Sequence, residues 1–237
     1  MTPLLAPDVL ARFPLSPLLA AQALYVRKRA QILPEPPGPR VGRVGQGPPL
    51  RLLIIGDSSA AGVGAPTQSA AFSGQLVHHL ARQFDVDWQL EAATGATTKT
   101  TLENLLLVPP ARFDVAVTAL GVNDVTGMTS RRQWIARQRA LHDLLRDRFG
   151  VTGIYASGVP PMGRFPLLPN PLRWVLGQQA IRFDRALIGL VAGQDGIHHV
   201  PVDFPHEARF AASDGFHPSP VAYTDWGAML ARLIAQA

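Results

Sequence analysis

Four short stretches of this chain carry residue types that acyl chemistry needs: "GDSS" at 56–59, "TGAT" at 94–97, "GVND" at 121–124 and "DGFHP" at 214–218. A serine hydroxyl becomes a nucleophile when a histidine takes its proton and a carboxylate orients that histidine. Ser58 offers the hydroxyl, and Asp214, three residues before His217, offers an acid beside a base. Gly95 brings a backbone N–H unobstructed by a side chain and Asn123 an amide, the kind of donors that hold a developing oxyanion. Singly, each has an ordinary reading: a helix-capping serine, a turn glycine, an Asx-turn asparagine, a loop Asp-x-x-His.

The elements between the stretches decide whether they can meet. Short apolar runs at 51–55, 87–92, 114–120, 152–157 and 197–202 read as strands. Helical periodicity falls between them at 70–84, 98–107, 130–148 and 171–193, with a last stretch at 218–235. Strands alternating with helices predict βαβ units and a doubly wound parallel sheet of five strands. Such a sheet binds its ligand beyond the carboxyl ends of its strands, which is where Ser58, Gly95 and Asn123 fall. Rival readings of "GDSSAAGVG" fail on spacing. There is no lysine for a P-loop, Thr67 stands where a dinucleotide fingerprint needs its third glycine, and no G-x-S-x-G elbow occurs in the chain.

The four blocks, in this order and spacing, resemble those of the SGNH (GDSL-like) hydrolase superfamily, over about residues 50–237. The resemblance implies a three-layer, flavodoxin-like α/β/α sandwich and a serine esterase or lipase working through an acyl-enzyme. Ser58 would be the nucleophile and His217 and Asp214 its base and acid, with Ser58, Gly95 and Asn123 forming the oxyanion hole. No cofactor or metal is called for, and the expected partner is a small-molecule ester, short- to medium-chain. A lysophospholipase or thioesterase working at membranes and a deacetylase of acetylated sugars are the alternatives; a non-enzymatic binding module is the reading from another class. Ser59 is expected to cap the following helix, and Asp57 and Asp124 to hold their loops. Asp203 and His206 repeat the Asp-x-x-His spacing but lie about ten residues too early. His198 and His199 point to opposite faces of a strand and cannot share an ion. The long apolar loop at 160–174 is expected to wall the substrate pocket with Phe165, Leu167, Leu168 and Trp174.

At 237 residues, 47% of them apolar, the chain supports one main domain, and the absence of cysteine excludes disulfides and thiolate chemistry. Net charge is +5, but residues 1–43 hold six basic residues against two acidic ones, leaving the rest nearly neutral and without the basic stripe of a nucleic-acid binder. The chain divides at residue 49: an apolar, basic helix with a Pro/Gly-rich linker at 31–50, then the hydrolase domain from 50 to 237. Residues 13–26 are charge-free but short of the roughly 18 needed to span a bilayer, and the basic cluster Arg27-Lys28-Arg29 follows them, opposite to a signal peptide. Packing on the domain surface, or peripheral membrane contact through residues 9–29, are the two expectations, with a cytoplasmic or membrane-peripheral location.

Overall fold

A computed structural model describes residues 6–205 and 207–236. In chain order its elements are α1 (Pro7–Arg29), β1 (Val41–Val44), β2 (Pro49–Gly56), α2 (Ser58–Ala61), α3 (Phe72–Leu80), β3 (Asp85–Ala92), α4 (Thr98–Leu105), β4 (Val115–Ala119), α5 (Val122–Thr126), α6 (Arg131–Phe149), β5 (Gly153–Ser157), α7 (Leu172–Val191), β6 (Ile197–Val200) and α8 (Pro220–Ala235). The sheet runs β1-β3-β2-β4-β5-β6, parallel except for β1, which pairs antiparallel with β3. The connection after β2 leads to β3 on one side and the connection after β4 to β5 on the other, so the topological switch point lies between the adjacent strands β2 and β4.

Alternation along β2 builds a core on each face. Leu53 and Ile55 pack with Trp134, Leu141 and Leu145 of α6 and Phe183 of α7. Leu52 and Ile54 pack with Phe72 and Leu76 of α3 and Tyr223 and Leu230 of α8. Gly56 ends β2 where a Cβ would lie 2.5 Å from that of Ala60 and 2.6 Å from the Ala119 carbonyl oxygen. A side chain there would push the turn carrying Ser58 off the sheet.

The sheet has six strands, not five, and the sixth lies in the stretch read as linker. Val41–Val44 covers the open edge of β3, with Arg43 bonding Asp85 and the Arg40 carbonyl accepting from Leu90 N–H at 2.8 Å. Its pairing answers β3's unpaired backbone groups rather than any apolar run of its own. The N-terminal helix is also longer than its charge-free core. Its 23 residues meet the length and apolarity of a membrane span, although Pro14 and Pro17 lie inside it. The Phe13 carbonyl, deprived of a partner by Pro17, accepts instead from Ser16 Oγ at 2.8 Å. This helix lies on α7, where Asp8 is buried against Arg182 at 2.6 Å and Gln22 accepts from Leu172 N–H at 3.0 Å.

One buried group makes stability pH-dependent. His142 of α6 is almost wholly buried with neither ring nitrogen partnered, and burial pushes its pKa down to about 4. As pH falls from about 6.5 towards about 4, the unfolded chain takes up a proton that the native state refuses, so stability falls by up to about 3 kcal/mol. Asp57, pushed up to about 6 by burial, works oppositely in part of that window but cancels between variants that both retain it. Urea midpoints of wild type and His142→Leu are expected to diverge between about pH 7 and about pH 4.5, the variant losing less. Parallel pH curves would remove this account.

Candidate active site

The turn after β2 projects Ser58 at the first position of α2. Asp57 caps that helix, its Oδ1 accepting from Ser59 N–H at 2.9 Å, so the cap is Asp57 and not Ser59. Tyr223 O–H donates to the Val63 carbonyl at 2.6 Å and ties the far end of the turn to α8. The loop before α8 folds back on itself, with Ala212 N–H donating to the His217 carbonyl at 2.8 Å and Ser219 N–H to the Phe210 carbonyl at 3.0 Å. That fold sets His217 Nε2 at 2.8 Å from Ser58 Oγ and His217 Nδ1 at 2.5 Å from Asp214 Oδ2. Asp214 Oδ1 accepts from the N–H groups of Phe216 and His217, each at 3.0 Å. Burial opposes the Asp214 charge, but the His217 bond and those backbone donors outweigh it and hold the carboxyl below its ordinary value.

Asn123 lies in the first turn of α5, its Nδ2 donating to the Ala96 carbonyl at 3.0 Å and standing 3.5 Å from Asp57 Oδ2. It thereby joins the ends of β2, β3 and β4. Gly95 sits in the exposed turn after β3 at φ +81°, a left-handed backbone that favours glycine. The N–H groups of Ser58 and Gly95 have no acceptor among the described residues. Asp124 Oδ2 accepts from Thr98 N–H and Oγ1–H, both at 2.9 Å, and so ties α4 to α5.

A cavity of about 360 Å³ opens beside Ser58 and His217, and Gly95 and Asn123 are not in its wall. Its lining is mainly apolar, from Leu120, Phe165, Phe204, Phe210, Phe216 and Trp226. Of the four wall residues expected from the long loop, only Phe165 contributes. Leu168 turns inward to the α6–α7 core, while Leu167 and the half-exposed Trp174 stand outside the lining. The loop's prolines and a single 3₁₀ turn at Met162–Arg164 bring one aromatic to the cavity, flanked there by Pro161, Arg164 and Pro166, and turn Met162 and Leu168 into the core. Leu120 follows β4, and the other aromatic wall residues come from the segments around 204–216 and from α8; Phe216, inside "DGFHP", was the available signal. Arg164 and Asp203 pair at 2.8 Å across the rim. His199 Nε2 meets Asp184 Oδ1 at 2.8 Å while His198 stacks on Tyr155, on the other side of the strand. Asp203 is thus engaged away from Ser58; His206 lies outside the described residues.

The protein is a carboxylic ester hydrolase, as its match to a family of lipases and acylhydrolases shows. The chain belongs to the GDSL-like lipase/acylhydrolase family, whose model matches residues 54–224. Solved structures of similar fold include a carbohydrate esterase family 2 enzyme with a carbohydrate-binding domain from Corynascus thermopiles (Myceliophthora fergusii), at TM-score 0.64 and 15% identity, covering 81% of this chain and 68% of that one. The M. smegmatis aryl esterase is similar at TM-score 0.58 and 17% identity, covering 79% of this chain and 99% of that one. Phospholipase A1 from Streptomyces albidoflavus NA297 follows at TM-score 0.57 and 16% identity, covering 80% and 100%. At these identities the likeness is one of fold. No curated protein matches the chain.

Proposed function

We propose that the protein is a serine esterase that cleaves uncharged short- to medium-chain acyl esters through an acyl-enzyme. The observation that carries the reading is the unbroken chain Asp214–His217–Ser58, at 2.5 and 2.8 Å. His217 Nε2 takes the Ser58 proton as Oγ attacks the ester carbonyl, then gives it to the departing alkoxide. Water, deprotonated by the same nitrogen, cleaves the acyl-enzyme and returns Ser58. The N–H groups of Ser58 and Gly95 and the Asn123 amide hold the oxyanion, single donors of this kind being worth about 10²- to 10³-fold in rate. The apolar cavity beside Ser58 suits an uncharged acyl or alkoxy group better than a sugar, which weighs against the deacetylase alternative although two structural relatives are a carbohydrate esterase and a carbohydrate acetylesterase.

The test is a panel of chromogenic esters of rising acyl length, wild type against Ser58→Ala. Turnover by wild type alone, greatest for short to medium chains, is expected; equal and flat rates in both proteins would sink the reading.

A second element of the proposal is peripheral membrane contact through α1, and it is what favours a lipid-directed substrate. Opposite its face on α7, the helix exposes Leu10, Phe13, Leu18, Leu24 and Tyr25, with Phe13 89% exposed, and ends in Arg27-Lys28-Arg29. An apolar face ending in a basic cluster fits an anionic lipid surface. The full chain is expected to co-sediment with vesicles rich in anionic lipid at low salt and to be released by high salt. Failure to bind such vesicles at low salt removes this element and leaves the esterase reading untouched.

A further inference from the structure

The ten residues after α1 form a strap along the rim of the site. Gln31 Oε1 accepts from Ser213 Oγ at 3.0 Å, next to Asp214. Buried Pro36 packs on Gly62 at the end of α2, where an added Cβ would lie 3.0 Å from Pro36 Cγ, and the Pro37 carbonyl accepts from Gln68 N–H at 2.9 Å. Between these anchors, Glu35 Oε1 accepts from Thr94 N–H at 2.7 Å and from Thr94 Oγ1–H at 2.8 Å. Arg40 Nη1 holds the other oxygen of Glu35 at 3.0 Å, and its Nη2 donates to the Ala92 carbonyl. The turn after β3 is therefore gripped at residue 92 and at residue 94, immediately before Gly95.

Other bonds hold the turn on either side of Thr94 and Gly95: Ala93 N–H donates to the Gly56 carbonyl at 3.3 Å, and the Ala96 carbonyl accepts from Asn123 Nδ2 at 3.0 Å. Thr94 and Gly95 are exposed, nothing lies within 4 Å of where a Gly95 Cβ would be, and the glycine sits in left-handed backbone. The Gly95 N–H belongs to the peptide that follows Thr94, so fixing the Thr94 N–H and hydroxyl restrains the direction in which that donor points. Burial resists charge on Glu35, but the two Thr94 donors and Arg40 prevail and hold its carboxyl below the ordinary range, so Glu35 stays ionised at neutral pH.

We propose that Glu35 and Arg40 are positioning residues for the oxyanion site, aiming the Gly95 N–H at the carbonyl oxygen of an ester attacked by Ser58. The inference rests on the esterase reading and adds to it a part of the machinery outside the matched segment 54–224. A donor fixed before reaction stabilises the transition state without reorganisation, so its loss falls on kcat rather than on substrate binding.

The test uses full-length Glu35→Ala, Glu35→Gln and Arg40→Lys on one short-chain chromogenic ester, with melting temperatures and the inhibition constant of a trifluoromethyl ketone, which forms a tetrahedral oxyanion on the serine. Glu35→Ala is expected to lower kcat about 10- to 100-fold with KM within about twofold, and to weaken the ketone in parallel. Glu35→Gln keeps an acceptor for Thr94 and should recover most of kcat. Arg40→Lys, which lacks the fork that reaches both Glu35 and Ala92, should lose several-fold at an unchanged melting temperature. Unaltered kcat in Glu35→Ala overturns the proposal, as does a loss of kcat that leaves the ketone constant unmoved. If Glu35→Ala does not fold, unaltered kcat and ketone binding in folded Arg40→Lys overturn it. A wild type whose turnover survives Ser58→Ala would instead overturn the esterase reading.

Discussion

Ser58→Ala is expected to lower kcat on an activated ester by about 10⁶-fold, with His217→Ala costing about as much and the double variant little more. The non-additivity follows from the proposed mechanism: the Ser58 hydroxyl and His217 Nε2, 2.8 Å apart, would share one proton transfer, and removing either partner would leave the other with nothing to do. Residual rate over water would come from the oxyanion donors and from binding. Both side chains line the cavity and neither belongs to the packed apolar cores, so melting temperatures should move little. Steady-state kinetics on the two single variants and the double variant provide the check. A His217→Ala protein that keeps its rate while His206→Ala loses it would move the base to the other Asp-x-x-His pair.

The second large effect is expected at Asp214→Asn, about 10⁴-fold in kcat. Asp214 uses both oxygens as acceptors, one for two backbone N–H groups and one for His217 Nδ1–H. An amide has only one oxygen. If that oxygen stays with the backbone, the amide N–H₂ faces Nδ1 and drives the ring to the tautomer protonated at Nε2, which cannot take the Ser58 proton. If it turns to Nδ1, the amide opposes two backbone donors and the loop must shift. The sign of the pH effect follows from the lowered Asp214 carboxyl: its support for His217 is fully present above the ordinary carboxylate range and is lost only as pH falls through its lower native value. Wild-type kcat should therefore not report Asp214 titration near neutral pH. A kcat for Asp214→Asn within tenfold of wild type would show that His217 is oriented by something else.

Two of the strands that carry the site were legible because strands buried on both faces must be continuous apolar runs: β2 reads "RLLII" and β4 "VAVTA". "GDSS" and "GVND" were legible because each stands at the end of such a run, whereas "DGFHP" lies in the loop before α8, well beyond the last strand, and was legible only from its Asp-x-x-His spacing. β1 was not, since "VGRV" lies among prolines and glycines and gains its partner only when the edge of β3 exists. The full length of α1 was obscured by Pro14 and Pro17, whose lost backbone bonds are partly met by Ser16. The cavity wall escaped because Phe204, Phe210, Phe216 and Trp226 converge from segments that no local pattern links. The same holds for Glu35 and Thr94, 59 positions apart.

β1 also sets a limit on how this chain can be shortened. A truncation at residue 49, suggested by the Pro/Gly-rich stretch before it, would leave the eight-residue β3 as a bare sheet edge with a row of unpaired donors and acceptors. Its product would be prone to edge-to-edge self-association, and a drop in turnover from such a protein would measure lost solubility together with any lost membrane contact. Ending the deletion after Arg29 keeps the edge covered and isolates the helix.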